Sequence, residues 1–173
     1  GQTGSGKTYT MLGTPENPGM IPKSMHQVFD TSRKLGTQGW TFKMNASMLE
    51  IYNEEYKDLL GKTRKGEEPK KHNVIHNADG STTVTDLTTV DVSTPEKVDS
   101  LLSDAMEKRS VGCTQLNEHS SRSHMVFTLR IDGTNSGTGA HIAGVLNLID
   151  LAGSERVKES GATGQQLKEA QAI

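Results

Sequence analysis

The chain opens with GQTGSGKTYT, the stretch that most limits which folds it can adopt. Residues 1–8 match the pattern G-x-x-x-x-G-K-T, in which a glycine-rich loop connects a buried strand to the start of a helix. The glycines allow successive backbone N–H groups to point inward and bind an anion, and the helix dipole adds to the attraction. We therefore predict that Lys7 contacts the β- and γ-phosphates of a nucleotide and that the Thr8 hydroxyl binds Mg²⁺. The predicted nucleotide-binding residues of this loop are Gly1, Gln2, Thr3, Gly4, Ser5, Gly6, Lys7 and Thr8.

Two other interpretations of the loop have less support. A dinucleotide-binding fingerprint would need a third glycine at position 9, where this chain has a tyrosine, so we reject it. A glycine-rich turn that matches the phosphate-binding pattern by accident remains the alternative, and the full eight-residue match argues against it.

A second motif, NEHSSRSH at residues 117–124, lies directly before a predicted strand. Two adjacent hydroxyls, Ser120 and Ser121, suit a loop that grips a phosphate and its metal ion and then releases them, because serine is neutral and both donates and accepts. Arg122 keeps its charge and can form a two-pronged bridge to a carboxylate. Taken alone, this segment is more easily interpreted as a polar loop that caps the next strand.

A third motif, IDLAGSE at residues 149–155, follows the most apolar run of the chain. Asp150 ends that run, where ligands bind in open α/β sheets, and one carboxylate at the edge of a hydrated Mg²⁺ is the expected arrangement. Gly153 offers an unobstructed backbone N–H to a γ-phosphate, and Glu155 is a natural partner for Arg122. As an ordinary exposed ion pair this contact is worth about 0 to 1 kcal/mol. As a latch it would couple two loops to the nucleotide.

Cys113, His119 and His124 form the strongest candidate for a metal site of another kind. The set lacks a fourth ligand at a suitable spacing, and the two histidines flank the serine pair, so we do not favour zinc.

The apolar pattern predicts helices and strands that alternate along the chain. Helices are predicted at 7–12, around 21–36, from a Thr94 N-cap to Gly112, and from about 165 to 173. Strands are predicted at 42–48 and 125–131, where apolar residues alternate, and at 144–151, where a continuous apolar run indicates a central buried strand. The remaining predictions are a turn-like segment at 53–60, an exposed loop at 61–71, a small hairpin within 74–92 and a turn at 134–141.

Composition narrows the class of protein further. Only 32% of the 173 residues are apolar, which is low for an α/β domain with buried central strands. A net charge of −2 does not favour nucleic acid as a partner, and no apolar run approaches the length of a membrane span. With one cysteine the chain cannot form an internal disulfide, so a soluble protein of a reducing compartment is expected.

Together the three motifs resemble the motor domain of a kinesin, with GQTGSGKTYT as its P-loop, NEHSSRSH as switch I and DLAGSE as switch II. The likeness extends through LEIYNEEYKDLL to the closing LKEAQAI, so it spans essentially the whole chain. HNADGSTTVTDLTTVDV and GVLNLIDLAGSERVKESGATG are most similar to the C-terminal-motor, minus-end-directed kinesins. Myosins would have phenylalanine and glycine after the switch I arginine, where this chain has Ser123, and phenylalanine where it has Ser154.

The resemblance implies an α/β P-loop NTPase fold, with a central mixed sheet flanked by helices. It also implies that residues 1–173 are one partial motor domain, truncated at both ends, with N-terminal strands and C-terminal helices missing. On that basis the isolated chain is expected to fold poorly and to hydrolyse ATP weakly.

The resemblance also implies roles for individual residues, with ATP and Mg²⁺ as the ligands. Catalytic roles would fall to Ser120, Ser121, Arg122, Gly153 and Glu155. The Mg²⁺ ligands would be Thr8, Ser121 and, through water, Asp150. Asn117 would support switch I, and Tyr9 would stack near the adenine.

The partner that the resemblance implies is the microtubule, in the cytoplasm and cytoskeleton, with dimers formed through segments outside this chain. Arg156, Lys158 and Lys168 would approach the acidic surface of tubulin, although ordinary solvated side chains are as good an interpretation of each one. No nucleic acid and no membrane is expected as a partner. The alternatives are a non-catalytic microtubule-binding relative and a small-molecule P-loop kinase, which would need an arginine-rich lid that is not visible here.

Overall fold

The computed structural model of the protein describes residues 1–62, 70–111 and 122–154. Its helices are α1 (Lys7–Leu12), α2 (Met20–Gly36) and α3 (Pro95–Val111). Its strands are β1 (Trp40–Tyr52), β2 (Glu55–Asp58), β3 (Val74–His76), β4 (Thr82–Val84), β5 (Val90–Asp91), β6 (Ser123–Asn135) and β7 (His141–Asp150). The predicted last helix and most of the predicted loop at 61–71 lie outside the described residues.

One sheet with the order β2-β1-β6-β7 organises the described residues, and β5 also pairs with β1. β1 and β6 pair along their whole lengths, from Trp40 opposite Asn135 to Tyr52 opposite Ser123. β7 returns along β6 and brings Asp150 opposite Met125. All pairs among these strands are antiparallel, so the start of β6 and the end of β7 lie at the same end of the sheet.

The core lies between this sheet and the helices α2 and α3. The alternation at positions 44, 46 and 48 and at 125, 127 and 129 puts these side chains on one face of the sheet, as predicted. The core residues on the helices are Ile21, Met25 and Phe29 of α2 and Val98, Leu102 and Ala105 of α3. Both helices therefore bury their apolar stripes in the core shared with the sheet.

Several predicted boundaries are confirmed. α1 spans the predicted residues, α2 ends at Gly36, and the two alternating segments lie inside β1 and β6. α3 starts after Thr94, whose hydroxyl accepts a hydrogen bond from the Lys97 N–H at 3.4 Å, as an N-cap does. The predicted hairpin is formed by β3 and β4.

The predicted turn-like segment at 53–60 is wrong in part, because residues Glu55–Asp58 form strand β2. A two-residue turn connects β1 to β2, with Asn53 and Glu54 at φ 49° and 62°. Positive φ at both central residues is typical of a hairpin turn whose twist matches its strands. The segment is rich in charge and covers little apolar surface, so its period-two pattern is weak.

The predicted strand at 144–151 is confirmed, but the predicted central, buried position is wrong for the described residues. Only β6 pairs with β7 among them, and the large apolar side chains at positions 142, 145, 149 and 151 are 45–56% exposed. A continuous apolar run indicates cover on both faces. In the described part of the chain, that cover is absent.

Among the described residues, no helix has the length and apolarity needed to cross a membrane.

Replacing Gly133 by alanine is expected to destabilise the fold by about 1–3 kcal/mol, because the added methyl group overpacks the sheet surface. A Cβ at this position would lie 2.6 Å from Phe42 Cε1 and 2.9 Å from Ile142 Cγ1. The Phe42 ring is stacked on Trp40, so it has little freedom to move aside. Urea unfolding of the Gly133→Ala variant measures this loss.

Gly144→Ala on the neighbouring strand is the matched control. A Cβ at position 144 meets nothing within 4 Å, so this change is expected to alter stability by no more than about 0.5 kcal/mol. Equal losses for the two variants would contradict the packing argument.

Candidate nucleotide-binding site

The glycine-rich loop of residues 1–6 lies on the surface and leads directly into α1. Gly4 and Gly6 have φ of 77° and 83°, a left-handed conformation that residues with a side chain rarely adopt. Gly6 is the N-cap of α1, so the loop delivers its backbone N–H groups to the start of that helix. This geometry is that of an anion-binding helix terminus.

Lys7 folds back over this loop. Its Nζ donates hydrogen bonds to the carbonyl oxygens of Gly1 at 2.8 Å and Gln2 at 2.7 Å. The ammonium therefore lies beside the backbone groups that would contact a phosphate. A positive charge at this place, together with the helix terminus, favours a polyanionic ligand.

Thr8 and Asp150, two of the three predicted Mg²⁺ ligands, are brought into contact although 142 residues separate them in sequence. The Thr8 hydroxyl donates a hydrogen bond to Asp150 Oδ2 at 2.7 Å. Asp150 is only 2% exposed, and its second oxygen, Oδ1, has no hydrogen-bond partner among the described residues. A hydroxyl and a carboxylate with one unused oxygen form a hard-oxygen donor set, which fits Mg²⁺ and its waters.

The segment after β7 is held against the loop. The Ser154 N–H donates to the Gly1 carbonyl at 3.2 Å, and the Ala152 N–H donates to His124 Nδ1 at 3.1 Å. These two bonds flank Gly153, which is buried. The predicted phosphate-sensing glycine is thus fixed between the P-loop and the start of β6.

A buried ion cluster lies behind Asp150. Arg109 of α3 donates from Nε to Glu50 Oε1 at 3.0 Å and from Nη2 to the Ser123 hydroxyl at 2.8 Å. Its Nη1 lies 3.8 Å from Asp150 Oδ2. The exposed fractions of Glu50, Arg109 and Ser123 are 1%, 7% and 0%, so the charges are paired away from water.

Sequence reasoning missed this cluster, although one signal was present. The alternation that places Met44, Ala46 and Met48 inward also puts Glu50 on the core face of β1. A carboxylate at such a position requires a cationic partner, because an unpaired buried charge is costly. The sequence did not show which cation would supply it.

The other predicted site residues fall into two groups. Tyr9, half exposed at 53%, accepts a hydrogen bond from Asn17 Nδ2 at 2.8 Å and lies next to the loop. Arg122 is half buried directly before β6. The predicted site residues that lie outside the described part of the chain are Asn117, Ser120, Ser121 and Glu155. The predicted Arg122–Glu155 bridge therefore lies outside it as well. The same is true of Cys113 and His119 of the rejected zinc set.

An open cavity of about 450 Å³ lies elsewhere, between α2, the start of β1 and the start of α3. Its lining includes Phe29, Trp40 and Phe42 and none of the residues of the nucleotide site. The contact between the glycine loop and Asp150, and not this cavity, identifies the candidate site.

Comparison with known proteins defines the class. A family description, Kinesin motor domain, matches residues 1–173. The chain is 59% identical over 179 residues to Kinesin-like protein KIN-14N of Oryza sativa subsp. japonica, and the match covers all of this chain and 23% of that protein.

Two solved structures have the same fold. The C-terminal motor and motor homology domain of Kar3Vik1, fused to a synthetic heterodimeric coiled coil, is 44% identical. It superposes with a TM-score of 0.83 over 99% of this chain and 42% of its own. KIF14, a two-heads-bound dimer with AMP-PNP in complex with a microtubule, is 36% identical, with a TM-score of 0.84 over all of this chain and 49% of its own.

The glycine loop, α1 and the end of β7 together form the loop–strand arrangement of the P-loop α/β class. More particularly, the chain belongs to the kinesin motor domain family. The predicted family, its likeness to C-terminal-motor kinesins and the predicted fold class are confirmed. The chain spans about a quarter of the length of the curated relatives that it matches.

Replacing Gly6 by alanine is expected to cost about 1–2 kcal/mol of folding free energy, because φ at this residue is 83°. A Cβ there meets nothing within 4 Å, so the cost is that of backbone strain alone. Urea unfolding of Gly6→Ala measures it.

Gly36→Ala is the control, since position 36 is the last residue of α2, is equally open and has no positive φ. Alanine is the better helix former, so this variant is expected to be as stable as the parent chain or slightly more stable. A loss at position 36 that matches the loss at position 6 would contradict the strain argument.

Proposed function

We propose that the protein is an ATP-dependent microtubule motor that hydrolyses ATP to ADP and phosphate at the site formed by the P-loop and the end of β7. The observation that carries this proposal is the 2.7 Å hydrogen bond from Thr8 to the buried carboxylate of Asp150. It brings the glycine loop and the IDLAGSE motif, which are far apart in sequence, to one place.

The loop and Lys7 would bind the triphosphate. The backbone N–H groups at the start of α1 would donate to the phosphates, and Lys7 would exchange the carbonyls of Gly1 and Gln2 for phosphate oxygens. Phosphates accept charge-assisted hydrogen bonds more strongly than neutral carbonyls do, which favours this exchange. Tyr9, beside the loop, would lie near the adenine.

Thr8, Asp150 through water, and Ser121 would hold Mg²⁺, which supplies positive charge against the phosphate oxygens during their transfer. The structure supports the first two by their contact and by the unused Oδ1 of Asp150. Ser121 is proposed from its place in the NEHSSRSH motif.

The remaining proposed roles concern the attack of water on the γ-phosphate. The Gly153 N–H would donate to that phosphate, because Ser154 is held at the Gly1 carbonyl. Arg122 and Glu155 would close the site and orient the water, with Asn117 and Ser120 supporting the same loop. Such positioning and charge stabilisation supply most of the catalysis in phosphoryl transfer.

Microtubule binding is proposed from the family and from the KIF14 structure, which contains a microtubule. Arg156, Lys158 and Lys168 would meet the acidic surface of tubulin, and the protein would act at the cytoskeleton. Dimer formation through segments outside this chain is consistent with the dimeric and coiled-coil structures among the neighbours. A non-catalytic microtubule-binding fragment is the less favoured alternative, because Lys7, Thr8 and Asp150 are all in place.

Lys7→Ala is expected to weaken binding of a fluorescent ATP analogue by at least about tenfold, since a hydrogen bond to a charged group is worth about 1.5–3 kcal/mol. Titration of the protein with the analogue in excess Mg²⁺ measures the affinity. The control is Lys34→Ala, which removes a lysine from the last turn of α2, away from the site. Equal affinities for Lys7→Ala and the parent chain would contradict the proposed role of Lys7.

Microtubules are expected to accelerate phosphate release by the full-length motor that contains this chain, and their binding is expected to weaken as salt rises, because charge steers the encounter. Co-sedimentation at increasing ionic strength and a coupled phosphate assay measure the two effects. Salt-dependent sedimentation without any phosphate release would support the non-catalytic alternative.

A further inference from the structure

We propose that the open cavity between α2, the start of β1 and the start of α3 is a second binding site, which takes a small aromatic cation, a planar ring joined to a protonated amine. The cavity measures about 450 Å³, which is within the range of small-molecule sites in proteins. None of the residues predicted for the nucleotide site lines it, so the inference does not depend on the proposed function.

The floor of the cavity is aromatic. Trp40 and Phe42 lie on the face of β1 that continues to the buried Met44, and their rings are stacked, with centroids 5.9 Å apart and an angle of 13° between the planes. Phe29 of α2 lines the same cavity. Trp40 and Phe42 are only half buried, whereas Met44 and Phe29 are buried. The helices therefore leave the first two aromatic side chains of β1 accessible to a flat ring, which packs well on such a surface.

The rim of the cavity has an excess of negative charge. Arg33 pairs with Asp30 at 3.3 Å, and Lys97 pairs with Asp91 at 3.7 Å. Glu96 lines the cavity and forms no salt bridge with any other described residue. Two cations and three carboxylates leave one negative charge at the rim. A cationic ligand is therefore favoured over a neutral or anionic one.

The Glu96 carboxylate keeps its charge at neutral pH. Hydrogen bonds from its own backbone N–H and from the Thr94 hydroxyl hold the pKa of Glu96 below its ordinary value, and the charges of His26 and Arg33 lower it further. A carboxylate can accept about four hydrogen bonds, so these two leave room for a ligand's ammonium group. The ionised group is exposed, at the edge of the cavity.

The aromatic floor and the charged rim together define the chemical class of the ligand. A ring packs on Trp40 and Phe42, and an ammonium group on a short chain meets Glu96, which lines the same cavity. The faces of the aromatic rings also attract the cation. A neutral aromatic molecule lacks the ion pair, and an aliphatic amine lacks the ring contact, so each of them satisfies only half of the site.

Trp40 provides the signal for the test, because it is the only tryptophan among the 173 residues. Its fluorescence is followed while the protein is titrated with phenethylamine, with the uncharged phenethyl alcohol and with hexylamine, which has the charge but no ring. The titrations are made at pH 8, where an ordinary histidine such as His26 is neutral and the amines are protonated. The same titrations in urea show whether the signal requires the folded chain.

Three variants locate the site. Glu96→Gln removes the charge at the rim, and Ser32→Leu fills the cavity from α2, where Ser32 lines it. Glu16→Gln is the matched control, since Glu16 is an exposed carboxylate in the loop before α2 and does not line the cavity. Urea unfolding of each variant, followed by Trp40 emission, checks that it is folded.

We expect phenethylamine to give a saturable change with a Kd of about 1–10 mM, as suits a molecule of this size. It is expected to bind about three- to tenfold more tightly than phenethyl alcohol, because the ion pair is exposed and the cation also meets the rings. Hexylamine is expected to give no saturable change. In Glu96→Gln the preference for the amine disappears, in Ser32→Leu neither aromatic probe binds, and Glu16→Gln behaves as the parent chain does.

The proposal is overturned if phenethylamine gives no saturable change with the folded parent chain, or if the change is the same in urea. It is also overturned if phenethyl alcohol or hexylamine binds as tightly, or if Glu96→Gln retains the preference for the amine. Should Ser32→Leu not fold, Glu96→Gln and its Glu16→Gln control decide the question. Each of these outcomes leaves the affinity for nucleotide, and so the proposed function, untouched.

Discussion

The buried carboxylate of Asp150 is the point on which the site depends. It is 2% exposed, and a charge so far from water requires partners. Thr8 supplies one from the glycine loop and Arg109 supplies another from α3. Satisfying this one group therefore draws a loop, a helix and the edge of the sheet together. The same contact positions the glycine loop and orients Asp150, the proposed metal ligand.

Strand register makes this convergence possible. Thirteen residue pairs join β1 to β6, and β7 returns along β6 so that Asp150 lies opposite Met125. Because successive side chains of a strand alternate between faces, a shift of one residue would turn Glu50 and Ser123 away from Arg109. The continuous pairing and the apolar side chains that share its inner face make such a shift costly. The sheet thus fixes the polar cluster through its apolar core.

The sequence predicted the parts of the site whose spacing is local. Lys7 and Thr8 follow from eight adjacent residues, and Asp150 follows from its place after an apolar run. The Arg109 cluster joins four separate elements, and no local pattern specifies which cation meets Glu50. Strand β2 was missed because a charged edge strand has a weak periodicity. The exposure of β7 was missed because a continuous apolar run predicts that both faces of a strand are covered, but does not show which elements cover them. Among the described residues, β7 pairs only with β6.

The position of Lys7 has a consequence for which ligands the loop admits. Its ammonium already has two acceptors, the carbonyls of Gly1 and Gln2, within the protein. An incoming molecule must therefore compete with the loop's own backbone for this cation. A nucleoside offers only neutral oxygens and would bind Lys7 no more strongly than these carbonyls do. A polyphosphate tail would displace the carbonyls, because its charged oxygens form stronger hydrogen bonds with the ammonium. For the proposed nucleotide site, this arrangement of Lys7 would select ligands by the charge of their phosphate tail.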